Sequence, residues 1–244
     1  MRLSEAAKRL GPARLTGEPE CDRITPRPTR VLAADGTEAY RYPKSDVIQK
    51  MASFEEINEH FSTTDYYGNK KYLFSGRMKD LPLEHQKAIA EGVLYVQETF
   101  KKRPLPSTIR IQKTATVNEK SVAGYYDARN LKIVISETTN KAEAELYLTV
   151  VHEMIHHYDR YGDEAEYCVG YAIKELQKTI NPNTRTAYAY ADIQAMLGSL
   201  AGRSSNKKDE VLAYAIEKNM DVKKGNSTLT EIIVRYFYER NGAK

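Results

Sequence analysis

The stretch LYLTVVHEMIHHYDRYG, residues 146–162, decides how the chain is read. Its apolar residues Leu146, Leu148, Val150, Val151, Met154, Ile155 and Tyr158 leave almost no polar side to a helix built from it. A helix apolar all round is a buried one. Yet His152, Glu153, His156 and Asp159 stand within it, and each polar group buried without a partner costs about 1–3 kcal/mol. Four such groups along one stripe call for a compensating chemistry.

Helical geometry supplies one. At about 100° per residue, His152 and His156 sit about 40° apart, one turn from each other. Two imidazoles so placed can share a Zn²⁺, which takes nitrogen ligands at about 2.0–2.1 Å. Glu153 points beside the metal, where it can take a proton from water activated there. Asp159, about 20° off the face of His152, is placed to accept a hydrogen bond from the free ring nitrogen of His156. His157 points elsewhere and is not counted as a ligand.

A catalytic zinc usually takes three protein ligands and keeps a fourth position for water. None of the five histidines follows His157, and His60 and His85 stand in polar helical contexts. The third ligand is therefore expected to be a carboxylate beyond the motif: Glu164, Glu166, Glu175, Asp192, Asp209, Glu210 or Glu217. Glu164 and Glu166 follow Gly162 so closely that the chain must fold straight back to deliver them. Glu210 opens the helical segment KKDEVLAYAIEKN, 207–219, in which Ala213 and Ala215 permit close approach to the histidine helix. It is the preferred third ligand.

The rest of the chain limits the setting. Its 244 residues suffice for one large domain or a domain with a small module. Apolar and charged contents of 41% and 29% are those of a soluble globular protein. No run reaches the length needed to span a bilayer, and the N-terminus lacks the apolar region of a secretory signal. Cys21 and Cys168 are the only cysteines, too few for a disulfide framework or a cysteine zinc cluster. A cytoplasmic location is expected, with no membrane partner.

Residues 1–50 carry ten Lys/Arg against seven Asp/Glu and five of the nine prolines. The composition shifts near Met51, which suggests a small module over 1–50 and a main domain over 51–244. SEAAKRLG (4–11) reads as a short helix, TRVLAADGTEAYRY (29–42) as two strands about a turn, and PKSDVIQKM (43–51) as a helix start. EAAKRLG (5–11), RPTR (27–30) and YRYPKSDV (40–47) resemble segments of MerR- and excisionase-type winged helix modules. That resemblance implies a DNA partner. PARLTGEPECDRI (12–24) departs from it, with two prolines and a glycine where a recognition helix belongs, and fits a proline-rich interaction arm equally well.

Beyond Met51, helices are expected over 54–61 and 82–102, strands over 107–114, 121–127 and 131–136, and helices over 141–161, 164–179, 187–202, 208–219 and 228–240. Strands followed by a mostly helical C-terminal half indicate an α+β domain with a small β-hairpin or sheet. Strand 131–136 is expected at the sheet edge, where an extended substrate would pair.

HEMIHHYD (152–159) followed at a distance by EVLAYAI (210–216) resembles the gluzincin metallopeptidases of the anthrax lethal factor-like group. That group includes domains of phage head-morphogenesis proteins and polymorphic toxins. LPLEHQKAIAEGVLYV (81–96) and AGYYDARNLKIVIS (123–136) are similar to its helix and edge hairpin, so the likeness covers about residues 80–220. It implies a zincin-like fold, His152, His156 and Glu210 as zinc ligands, and Glu153 as general base in hydrolysis of a protein or peptide substrate. It also implies a tyrosine shortly before the distal glutamate to stabilise the oxyanion, whereas 200–209 reads LAGRSSNKKD. Tyr214, Tyr188, Tyr190 and Tyr126 are candidates for that task, with Tyr214 nearest the ligand. Two other classes compete: a non-catalytic virion or interaction protein that keeps the fold, and a DNA-binding regulator acting through residues 1–50.

Overall fold

Serine caps and tight turns set the entry into the domain. The computed structural model describes residues 29–32, 38–201, 207–220 and 227–242. Strands β1 (Thr29–Leu32) and β2 (Glu38–Arg41) pair antiparallel. Helix α1 (Asp46–Gln49) starts at Ser45, whose side chain accepts the Ile48 N–H, and α2 (Phe54–His60) starts at Ser53 in the same way through Glu56. A short hairpin, β3 (Thr63–Thr64) with β4 (Lys70–Lys71), is followed by β5 (Phe74–Gly76) and α3 (Leu83–Thr99). Then come β6 (Thr108–Gln112), β7 (Ala115–Val117), β8 (Lys120–Val122), β9 (Gly124–Asp127) and β10 (Lys132–Ser136). Helices α4 (Glu143–Asp159), α5 (Glu164–Leu176), α6 (Tyr190–Ala201), α7 (Lys208–Met220) and α8 (Thr228–Asn241) complete the described chain. The protein is thus a mixed α/β structure with small sheets and a helical C-terminal half.

The main sheet has the order β5-β6-β10-β9, with β5, β6 and β10 parallel and β9 antiparallel to β10. The expectation that residues 131–136 form the edge does not hold: β10 lies between β6 and β9. Ile133, Val134 and Ile135 are all fully buried, the two-sided burial of an interior strand. The edges are β5 and, beside β10, β9, whose residues Gly124 to Asp127 are all half-buried.

Isoleucines 109, 111, 133 and 135 join one apolar cluster with Ile89 and Val93 of α3 and Val150, Val151 and Ile155 of α4. Glycine makes two close approaches here. A Cβ on Gly92 would stand 3.0 Å from Val150 Cγ1, so its absence lets α3 lie directly on α4. A Cβ on Gly124 would stand 2.9 Å from Thr149 Cγ2, so β9 rests directly on α4. Buried Asn140 joins the same parts. Its amide donates to Ala123 O and Ser136 O, and its Oδ1 accepts from the Thr149 hydroxyl.

Residues just ahead of Met51 pack onto this core. Ile48 is fully buried, and Tyr42 stacks on Tyr147 with ring centroids 4.7 Å apart. Glu91 Oε1 accepts from Ser45 N and Gln49 Nε2, and Lys87 Nζ donates to Gln49 O. Tyr42 and Ile48 thus belong to the same buried apolar cluster as the helices that follow Met51. The helix expected over 4–11 and the proline-rich segment 12–24 lie outside the described residues. No described helix is long and apolar enough to cross a membrane.

Candidate metal centre

Helix α4 carries the histidines and α7 brings the carboxylates to them. Glu145 secures the start of α4, its Oε2 accepting the N–H groups of Lys141 and Ala142. Further along, Leu146, Tyr147, Val150, Val151, Met154 and Ile155 are buried and fix the rotation of the helix. That rotation turns His152, Glu153 and His156 into an open cleft of about 780 Å³. The opposite wall comes from Ala123 to Tyr126 and the hairpin before them, and α7 lines the cleft with Asp209, Glu210, Tyr214 and Glu217.

Three donor atoms converge. His152 Nε2 and His156 Nε2 are 3.2 Å apart, and Glu210 Oε2 lies 3.6 and 3.7 Å from them. His152, His156 and Glu210 form a group able to hold a metal ion, their ligand atoms all within 4.8 Å of one another. At zinc–nitrogen distances of about 2.0–2.1 Å, the 3.2 Å separation corresponds to an angle of roughly 100° at a shared ion. The longer nitrogen–oxygen separations correspond to roughly 120° at zinc–oxygen distances of about 2.0–2.2 Å. The donor set and its spacing are therefore compatible with one shared metal ion.

The electrostatics agree with a site prepared for positive charge. Burial opposes a charged His152, but Glu210 and Glu217 outweigh it and raise its pKa to about 10. Hydrogen bonding from His152 and His156 holds the Glu210 carboxyl well below its usual range. Glu153 is buried, and burial pushes its pKa up against the pull of the two imidazoles. A carboxyl group with a raised pKa is suited to carry a proton.

The carboxylates around the histidines sort into separate tasks. Glu217 Oε2 accepts from His152 Nδ1 at 3.0 Å, and Asp209 Oδ2 lies 3.8 Å from His156 Nδ1. Asp159 has a different partner from the expected His156: its Oδ1 accepts the Ala165 N–H at 2.6 Å, tying the start of α5 to the end of α4. Glu164 is turned away from the histidines. Buried, it receives Arg240 Nε at 2.7 Å, Asn241 Nδ2 at 2.8 Å and Arg103 Nη2 at 3.3 Å. Glu166 is exposed and pairs with Lys208. Glu217 and Asp209 were legible only as ligand candidates, although the seven-residue step from Glu210 to Glu217 puts both on one face of α7.

Of the four candidate tyrosines, Tyr126 and Tyr214 line the cleft, together with Tyr125, and Tyr188 and Tyr190 do not. Tyr214 packs edge-on against His152, with ring centroids 4.5 Å apart. The Tyr126 hydroxyl is 3.0 Å from His157 Nδ1, while His157 Nε2 is 2.9 Å from the Pro104 carbonyl. A carbonyl only accepts, so Nε2 carries the proton and neutral Nδ1 accepts from Tyr126. Burial lowers the His157 pKa and keeps that form. His157 thus ties β9 to α4, and Tyr126 is spent on that tie.

Comparison of the chain with protein-family models, with curated proteins and with solved structures finds no match.

Proposed function

We propose that the protein is a zinc-dependent metallopeptidase with a zincin-like fold, akin to the gluzincins that its two motifs resemble. The observation that carries this reading is the convergence of His152, His156 and Glu210 beside the buried Glu153. His152 Nε2, His156 Nε2 and Glu210 Oε2 are the zinc ligands. Bound there, Zn²⁺ supplies a Lewis acid for the scissile carbonyl and for water.

The chain's own residues do the rest. Glu153 takes the proton of the attacking water and hands it to the leaving amine. Glu217 fixes the His152 tautomer that leaves Nε2 free, and Asp209 stands at the corresponding nitrogen of His156. Tyr214 is the candidate to stabilise the developing oxyanion, since Tyr126 is committed to His157. The free edge of β9 is where an extended peptide pairs, in place of strand 131–136.

The test is elemental analysis of purified protein together with digestion of a mixed peptide pool by wild type and Glu153→Gln. The reading requires one zinc per chain in both proteins and cleavage by wild type only. Absence of zinc after supplementation, or equal turnover by the two proteins, would overturn it.

A further inference from the structure

Strand β9 runs beside the histidine helix over the turns that carry the candidate metal donors. Gly124 at its start rests on Thr149, where an added Cβ would stand 2.9 Å from Thr149 Cγ2, and Tyr126 meets His157 through its hydroxyl. Between Thr149 and His157, α4 carries His152, Glu153 and His156. The hydrogen bond from Ser136 N to Ala123 O decides which peptide groups of β9 face outward. In an antiparallel pair, bonded and non-bonded positions alternate. With Ser136 bonded to Ala123, the next bonded pairs are Val134↔Tyr125 and Lys132↔Asp127, while Ile135↔Gly124 and Ile133↔Tyr126 are non-bonded. The N–H and C=O groups of Gly124 and Tyr126 therefore point to the free side of the sheet.

Asn140 ties this edge to the helix. It is 4% exposed, and every polar atom of its side chain is engaged. Nδ2 donates to Ala123 O at 2.9 Å and to Ser136 O at 2.8 Å, and Oδ1 accepts from the Thr149 hydroxyl at 2.8 Å. Ala123 O thus accepts twice, from Ser136 N and from Asn140, which uses both of its lone pairs. The Ser136 bond already closes the sheet there. The Asn140 bond adds a link from the residue ahead of Gly124 to a hydroxyl of α4. A helical threonine can turn its hydroxyl to a carbonyl of its own helix, but Thr149 gives its proton to Asn140. Ala123 and Thr149 both line the cleft.

We infer that Asn140 and Thr149 are positioning residues for extended substrates, setting where the outward peptide groups of Gly124 and Tyr126 stand relative to His152, Glu153 and His156. The inference rests on the peptidase reading. A chain paired with Gly124 and Tyr126 inherits its place from β9, so the Asn140–Thr149 link governs where its scissile carbonyl falls. Misplacement of a reacting group by about 1 Å can cost about a hundredfold in rate. A short substrate, held at the metal centre without pairing along β9, draws far less on the link.

The test compares kcat/KM on zinc-loaded full-length protein for two substrates: a long peptide cleaved by wild type and the shortest fragment of it that still turns over. Thr149→Val keeps the shape of the side chain and removes its donor, and Thr149→Ser keeps the donor. Asn140→Ala cuts the link at its other end, and Thr149→Val stays informative where Asn140→Ala does not fold. The ratio of long to short is expected to fall about tenfold to a hundredfold in Thr149→Val and Asn140→Ala, and to stay near the wild-type ratio in Thr149→Ser, with zinc content equal throughout. A purely structural role would lower turnover of both substrates together and leave the ratio unchanged. An unchanged ratio in Thr149→Val would overturn the inference and leave the peptidase reading standing. Wild type that carries no zinc, or carries it and cleaves no peptide, would remove both.

Discussion

Glu217 Oε2 accepts the proton on His152 Nδ1 across 3.0 Å, from a position two helical turns beyond Glu210 on the same helix. One face of α7 therefore supplies both a carboxylate of the candidate metal group and the group that orients one of its imidazoles. Such outer partners typically affect metal affinity about 10- to 100-fold. Glu217→Ala is expected to weaken zinc binding by that factor with the fold retained, read by competition with a chromophoric chelator. An unchanged dissociation constant would reduce Glu217 to a surface charge.

Glu210 and Glu164 make a discriminating pair. Glu210→Ala is expected to abolish stoichiometric zinc while leaving the apolar core intact. Glu164→Ala is expected to keep the zinc but cost about 1–3 kcal/mol of stability, because Arg103, Arg240 and Asn241 lose the carboxylate they share. Elemental analysis and denaturant titration of the two variants separate the roles.

Glu153→Gln keeps the shape of the side chain and removes its capacity to carry a proton. General acid–base groups typically contribute about 10²–10⁴-fold, and kcat is expected to fall by that much with zinc content unchanged. Retained turnover would assign the base to another group.

Gly124→Ala places a methyl 2.9 Å from Thr149 Cγ2 and 3.1 Å from Ile135 Cδ1. Overpacking of this kind costs about 1–3 kcal/mol, and here it acts by lifting β9 off α4. A lower melting temperature with reduced peptide cleavage and normal zinc content is expected. Activity equal to wild type would mean that the position of β9 does not matter to turnover.

Burial raises the Glu91 pKa above the ordinary carboxyl value, against the hydrogen bonds from Gln49 and Ser45. A raised folded-state pKa contributes stability that is fully present below the unfolded value, near pH 4.5. It is lost as pH rises through the folded value. Glu91→Gln removes the charge and keeps an acceptor for Ser45 N. Its melting temperature relative to wild type is expected to be more favourable at pH 7 than at pH 4. A difference of the opposite sign would show that the charge at Glu91 is net stabilising.

Much of the helical half was legible in the sequence because its signals are local. Apolar periodicity and caps located α3 through α8 within a few residues, the alternation around Ile109 located β6, and the unbroken β-branched run 133–135 located β10. The HEMIH spacing was enough to pair His152 with His156, because one helical turn fixes that distance whatever the surroundings. What failed was non-local. The order of strands in the sheet depends on β6 and β9 arriving on either side of β10, and no local pattern in 131–136 encodes which neighbours it will have. The partner of Asp159 was missed for the same reason. The tight return of the chain through Asp163, at φ 49°, brings the Ala165 N–H to its carboxylate, and helical spacing says nothing of that return.

Asn140 holds three segments at once through Ala123 O, Ser136 O and the Thr149 hydroxyl. Strand edge and histidine helix are consequently joined on both sides of His152, here about one turn ahead of it and again through Tyr126 and His157. A force applied to β9 is therefore transmitted to α4 at both points, so strand and helix are coupled on either side of the histidines.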